Sequence, residues 1–136
     1  MNGRLANWKE SLWSEINRSV PFRWGHRDCF LFVDSCVAAM TGRTIKTDWR
    51  GTYSDREGAE WIVEQCGGMV AFGDELLQGY ARTTEPDEGD AVVVRLPGDV
   101  LMAGMHTGGT RVALLPENGD VVLAFNLPIV AAWSIN

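Results

Sequence analysis

One cysteine in this sequence has the surroundings of a nucleophile. Cys29 follows Asp28, whose carboxylate can cap a helix by accepting from the amides of its first turn. A thiol at the first helical residue lies at the positive end of the helix dipole, and this position, like the neighbouring Arg27, favours the reactive thiolate. The same amides can stabilise an oxyanion on a carbonyl that the sulfur attacks. The alternative is a structural cysteine, because cysteine is among the most buried residue types.

A cysteine nucleophile needs a base within hydrogen-bond reach, and the sequence has two histidines. His26 is three residues before Cys29 and is predicted to be a solvated loop residue or a contact at the rim of the site. His106 ends a predicted strand, and in a sheet packed on the nucleophile helix it can face the start of that helix. The alternative is a surface histidine in a hairpin. A metal site is not expected, because His26 and Cys29 supply only two ligands and no second close pair exists.

Composition narrows the class of protein. The 136 residues are expected to form one domain, and 46% of them are apolar, so the core needs neither disulfides nor a metal. The net charge of −6 argues against a nucleic-acid partner. No apolar run reaches the roughly 20 residues that span a bilayer, and the N-terminus lacks a secretory signal pattern. Three cysteines without framework spacing are typical of synthesis in a reducing compartment.

The order of helical and strand patterns predicts the fold class. Apolar residues at helical spacing predict helices at about 4–17, 29–40, 57–66 and 72–80. Pieces rich in β-branched residues, separated by turn signals, predict strands at 91–96, 100–106, 110–115, 120–125 and 130–135. Asn118-Gly119 is the strongest hairpin signal. We therefore expect a single α+β domain, with a helical part at about 1–80 and an antiparallel sheet of about five strands at about 90–136.

The segment 43–56 is predicted to be an ordered loop. It is rich in aromatic residues and glycine, and includes Trp49 and Tyr53. A loop of this composition lines a site or covers an edge of the core, and the sequence leaves both alternatives open.

Several motifs resemble those of the NlpC-type papain-like cell-wall cysteine peptidases. They are Pro21-Phe22-Arg23-Trp24-Gly25, Asp28-Cys29, Phe32-Val33, Gly42 and Gly89-Asp90-Ala91-Val92-Val93. Over nearly its whole length the chain is also similar to small phage tail proteins related to that family. Those share W-G-x-x-D-C, R-G-x-Y-x-x-x-G-A and G-D motifs and a C-terminal A-W ending. The matching residues here are Trp24 to Cys29, Arg50-Gly51-Thr52-Tyr53 with Gly58-Ala59, Gly89-Asp90 and Ala132-Trp133-Ser134-Ile135.

The resemblance implies a papain-like fold of NlpC type and Cys29 as nucleophile. It also implies a γ-D-glutamyl peptide bond of peptidoglycan as the ancestral substrate. The family's oxyanion tyrosine falls on Phe22, and its catalytic histidine falls on Met102, four residues before His106.

The remaining site residues are assigned around that thiol. His106 is the candidate base. The family's third polar residue has no clear match, and Asn118 and Glu117 are the candidates. The residues expected around the oxyanion and the groove are Asp28, Trp24, His26 and Tyr53.

Two functions follow as expectations from the resemblance. The first is a phage tail-tip protein, made in the host cytoplasm and carried in the virion, that contacts other tail-tip proteins and has a peptidase-like domain. Degradation of peptidoglycan during genome delivery stays open for this protein. The alternative is an active γ-D-glutamyl cysteine endopeptidase that uses Cys29 as nucleophile and His106 as base. Neither function requires a cofactor, and the position of His106 relative to Cys29 discriminates between them.

Overall fold

The computed structural model describes residues 3–45 and 48–136, so Lys46 and Thr47 of the predicted loop lie outside the described residues. The elements are α1 (Trp8–Ile16), α2 (Cys29–Thr41), α3 (Arg56–Cys66), α4 (Met69–Leu76), β1 (Ala91–Leu96), β2 (Val100–His106), β3 (Arg111–Leu114), β4 (Val122–Phe125) and β5 (Ile129–Trp133). The α+β class with an antiparallel five-stranded sheet is confirmed. Within the described ranges, no helix is long and apolar enough to cross a membrane.

Helix α2 is the central element of the helical part. Its N-cap is Asp28, whose side chain accepts from the N–H of Leu31 at 3.2 Å, so the helix begins at Cys29 as predicted. It ends at Gly42, which adopts the left-handed conformation with φ 77°. Cys36 is fully buried in the core, as predicted. Because α2 packs on both α1 and β2, it fixes Cys29 relative to the sheet.

The sheet has the strand order β4-β3-β2-β1-β5, and every neighbouring pair is antiparallel. Side chains alternate between its two faces. The face toward the helices carries the main core, which includes Ala91, Val93, Ala103, Met105 and Trp133. The opposite face carries a smaller apolar cluster of Val92, Val94, Val112, Leu114 and Ala132. Each strand residue can therefore be assigned to one face or the other.

Two helices differ from the predicted bounds. α1 begins at Trp8 and not near residue 4. The preceding residues instead form a turn, in which the N–H of Trp8 donates to the carbonyl of Leu5 at 3.0 Å, and the N–H of Leu5 donates to the carbonyl of Met40 at 2.7 Å. α4 begins at Met69, earlier than predicted, because the two glycines before it both take positive φ and turn the chain at once.

Candidate functional site

Cys29 lies in a groove of about 710 Å³ between the start of α2, helix α3 and the outer end of β2. Much of the lining is apolar, and the lining includes Phe22, Trp24, Phe30, Ile62, Val63, Met69 and Met102. Charged side chains in the groove are Asp28, Arg56, Glu60, Glu64 and Glu117. The thiol is half-buried and its pocket opens to solvent. The groove is therefore wide enough for a peptide or a protein segment to enter.

The carboxylate of Asp28 holds the start of α2 and the preceding turn together. Besides capping Leu31, it accepts from the N–H of Gly25 at 3.1 Å and from the hydroxyl of Tyr53. Burial, followed by the hydrogen bond to this carboxylate, raises the pKa of Tyr53. Tyr53 thus stays protonated and donates to Asp28, and both residues lie in the groove as expected.

The turn before α2 is pressed against the segment that carries Tyr53. The N–H of Gly51 donates to the carbonyl of Gly25 at 2.9 Å. Gly25 has φ 79°, and a Cβ there would lie 2.2 Å from the carbonyl oxygen of Tyr53. Only glycine fits this position, because it permits both the left-handed backbone and the close approach.

The R-G-x-Y motif has a structural role, because its Arg50 and Tyr53 side chains both bond to carboxylates of α2 or its N-cap. The guanidinium of Arg50 forms an ion pair with the buried carboxylate of Asp34 at 2.6 Å, while the hydroxyl of Tyr53 donates to Asp28, the N-cap of the same helix. The N–H of Ile45 also donates to Asp34, at 3.0 Å. Sequence reasoning did not identify the role of Asp34, because its partners are 11 and 16 residues away.

The Gly89-Asp90 motif also has a structural role. The carboxylate of Asp90 accepts from Arg4 at 3.0 Å and from the N–H of Ile135 at 3.1 Å, so it joins the two ends of the described chain. A Cβ at Gly89 would lie 2.8 Å from the methyl carbon of Met40. Neither residue lines the groove.

The environment of the thiol corrects the expectation that Cys29 is a thiolate. Burial, together with the nearby carboxylate of Asp28, raises the pKa of Cys29 from 9.0 to about 12. The backbone N–H groups of Ala103, Phe30 and Cys29 itself act in the opposite direction, but burial dominates. At neutral pH the sulfur is therefore a thiol.

His106 lies on the opposite face of the sheet from Cys29, so the expected pairing of nucleophile and base is not present. The strand β2 pairs with β1 without a bulge, so His106 shares a face with Met102, whereas Ala103 and Met105 face the helices. Val112, directly across the ladder from His106, belongs to the apolar cluster on the far face.

His106 is also not the surface histidine of the alternative interpretation. Only 2% of the residue is exposed. Its Nδ1 accepts from the N–H of Gly108 at 3.1 Å, and its backbone N–H donates to the carbonyl of Asp90 at 2.8 Å. These contacts make His106 part of the structure of the β2–β3 turn.

The other candidate residues do not complete a catalytic set. His26 is exposed, as predicted, and its ring lies beside Gly51 and not in the groove. Asn118 is exposed in the turn between β3 and β4 and does not line the groove. Glu117 does line it, accepts from Trp24 Nε1 at 3.1 Å and forms an ion pair with Arg56, which lowers the pKa of Glu117.

Across residues 3–45 and 48–136, no group of three or more His, Cys, Asp or Glu side chains is placed to hold a metal ion. The described site consists of a protonated thiol, the carboxylate that caps α2, and a largely apolar groove. Both histidines of the sequence are described, and neither lines the groove with Cys29.

Comparison with known proteins places the chain in a family. Neither the curated proteins nor the solved structures contain a match to the chain. A scan against protein families matches residues 3–135 to a family described as "Domain of unknown function (DUF6950)". Because this match spans nearly the whole sequence, the chain belongs to that family.

Proposed function

We propose that this chain is a component of a phage tail tip whose NlpC-type, papain-like domain binds a partner protein and does not cleave peptidoglycan. The observation that carries the proposal is the position of His106 on the far face of the sheet, away from the Cys29 thiol. The site thus keeps a groove suited to an extended polypeptide and lacks the base that would activate its sulfur.

Hydrolysis would need a thiolate, and this site disfavours one. With a pKa of about 12, roughly one thiol in 100,000 is ionised at pH 7. The nearest carboxylate, Asp28, is already engaged by two backbone N–H groups and by Tyr53. On the facing strand, Ala103 offers only a backbone group to the sulfur. The alternative of an active endopeptidase with His106 as base is therefore not favoured.

The groove has the features that binding of a polypeptide segment requires. Its aromatic and aliphatic lining can bury apolar side chains, and its open mouth admits an extended segment of another protein. Three glutamates and one arginine surround it, and the arginine is already paired with Glu117. This charge favours a partner segment that carries apolar and basic side chains, and it disfavours acidic peptidoglycan peptides.

Incorporation into phage particles tests the proposal. Ala59 lines the groove from α3 without being part of the core, so Ala59→Trp should fill the groove and leave the fold intact. Glu57→Trp places the same side chain at an exposed position of the same helix, outside the groove, and is the matched control. Each variant is supplied in place of the wild-type chain, and the chain is quantified in purified particles by mass spectrometry.

We expect wild type, Glu57→Trp and Cys29→Ala to be present in the particles at equal copy number. The copy number of Ala59→Trp should be at least about ten-fold lower, which corresponds to about 1.4 kcal/mol of binding free energy. Absence of the wild-type chain from purified particles would overturn the tail-tip proposal. Normal incorporation of Ala59→Trp would overturn the role of the groove.

A further inference from the structure

A second cavity, of about 530 Å³, lies beside the Cys29 groove. Four aromatic side chains line it, namely Trp49, Tyr53, Trp61 and Phe72, and we call it the aromatic cavity. Three of them, Trp49, Tyr53 and Phe72, also line the groove, so the two spaces adjoin. Trp49 stacks on Tyr53 with the ring centroids 5.9 Å apart. The cavity opens to solvent beside Trp61, which has 62% of its surface exposed.

The charged side chains at the aromatic cavity are acidic. Asp48 and Glu75 line it, and both residues are exposed. Among the described residues, no Lys or Arg lines it. The Cys29 groove differs, because it contains Arg56, which is paired with Glu117. Aromatic rings and carboxylates both attract positive charge, so this cavity presents a negative potential to a group that enters it.

Three tryptophans outside this cavity already carry a cation of the chain over the ring. Guanidinium or ammonium groups lie 4.1 to 5.6 Å from the ring centroids of Trp8, Trp13 and Trp133. No Lys or Arg of the described chain lies over Trp49 or Trp61 in the same way. The two tryptophans of the aromatic cavity therefore lack the kind of cation that three of the other four have.

We propose that the aromatic cavity binds the ammonium or guanidinium group of a lysine or arginine side chain on the partner segment. The rings attract a cation through the negative potential of their faces, and the two carboxylates add to that attraction. The alkyl part of such a side chain can pack on Ile62 and Leu76, which also line the cavity. This inference rests on the proposed function for the source of the side chain, because the cavity adjoins the groove that receives the segment.

Titration of the isolated chain with short peptides tests the proposal, followed through its six indole N–H signals by heteronuclear NMR. The probes are capped Ala-Lys-Ala and capped Ala-Arg-Ala, and the matched neutral probe is capped Ala-norleucine-Ala. Both basic peptides should shift the signals of Trp49 and Trp61, with a Kd on the order of 1 mM, because one side chain makes few contacts. The norleucine peptide keeps the apolar packing without the charge and should bind at least about ten-fold more weakly.

Substitutions at exposed positions test the ring and the charge separately. Trp61→Leu keeps an apolar side chain but removes the ring, so the basic peptides should bind about three- to ten-fold more weakly. Trp61→Phe keeps an aromatic ring and should lose less affinity than Trp61→Leu. Glu75→Gln should weaken binding by about two- to five-fold. Glu57→Gln removes an exposed carboxylate of α3 that does not line the cavity, so it is the matched control and should leave binding unchanged.

Absence of binding by the basic peptides, or equal affinity for the norleucine peptide, would overturn the proposal. Equal binding by wild type, Trp61→Leu and Trp61→Phe would also overturn it, because the ring would then not hold the cation. An equal loss in Glu75→Gln and Glu57→Gln would show attraction by net charge alone and would likewise overturn the site. Since these titrations use the isolated chain, their failure is distinct from a failure of incorporation into phage particles.

Discussion

Ala103 lies beside the sulfur of Cys29, and the strand that carries it presents no imidazole to the thiol. The only histidine of that strand, His106, points to the opposite face of the sheet. The thiol is therefore held at the start of a capped helix without a proton acceptor on the facing strand. A cysteine at a helix N-terminus therefore lacks here the base that nucleophilic catalysis by a thiol requires.

The raised pKa of Cys29 predicts slow alkylation of the folded chain. At neutral pH the thiolate fraction is about 1,000-fold lower at a pKa of about 12 than at 9.0. The greater nucleophilicity of the more basic thiolate offsets roughly 20-fold of this difference. We therefore expect the folded thiol to react with iodoacetamide about 50-fold more slowly than the same residue in the urea-unfolded chain.

Peptide mapping by mass spectrometry resolves alkylation at Cys29 from that at the two other cysteines. The unfolded chain is the matched control, because it has the same sequence without the burial. Equal rates in the folded and unfolded chains at pH 7 would show that Cys29 is not protected and that its pKa is near the ordinary value.

The raised pKa of Cys29 also predicts a loss of stability at high pH. Above about pH 9 the unfolded thiol ionises, whereas the folded thiol holds its proton up to about pH 12. The contribution of Cys29 to the free energy of unfolding is thus complete below pH 9 and is lost as the pH rises from 9 toward 12. Urea unfolding at several pH values should show a steeper alkaline decline for the wild type than for Cys29→Ala, and parallel curves would contradict the shift.

The hydrogen bond from Tyr53 to Asp28 predicts a stability effect at the groove. Tyr53→Phe removes the donor and leaves the buried carboxylate with its two backbone donors. Because the acceptor is charged, we expect the free energy of unfolding to fall by about 1.5–3 kcal/mol. In an Asp28→Ala background the same change should cost much less, and an equal cost in both backgrounds would show that the hydroxyl does not act through Asp28.

The turn at Gly25 predicts a large effect of a single methyl group. Gly25 and Gly98 both have left-handed φ angles, 79° and 85°, but only at Gly25 would a Cβ meet another backbone atom. Gly98→Ala should cost about 1 kcal/mol from the conformation alone. Gly25→Ala should cost about 2–4 kcal/mol, because the segment at Tyr53 must also move. Urea unfolding of both variants checks this, and equal costs would contradict the close approach.

Local signals in the sequence predicted the elements around the thiol well. Asp28 and Gly42 fix the two ends of α2 through capping and a left-handed stop, which depend only on neighbouring residues. Strands β1 and β2 have the predicted bounds because turn residues separate them. The first helix was predicted too long, because the apolar spacing continues through residues that form a turn before Trp8.

The face of His106 could not be predicted in the same way. The strand 100–106 is apolar on both sides, so its sequence does not show which side packs on the helices. Likewise, the hydrogen bonds of Tyr53 to Asp28 and of Arg50 to Asp34 join residues 25 and 16 positions apart. No local sequence pattern predicts such long-range bonds. The sequence located Cys29 at the start of α2, while long-range packing decided what surrounds it.

Turnover of peptidoglycan fragments tests the central claim most directly. Wild type and Cys29→Ala are incubated with purified γ-D-glutamyl muropeptides at neutral pH, and products are identified by mass spectrometry, with an active NlpC-type peptidase as positive control. We predict no product from either protein, because Cys29 is a protonated thiol without an imidazole partner. Cleavage by the wild type that is absent in Cys29→Ala would contradict this account.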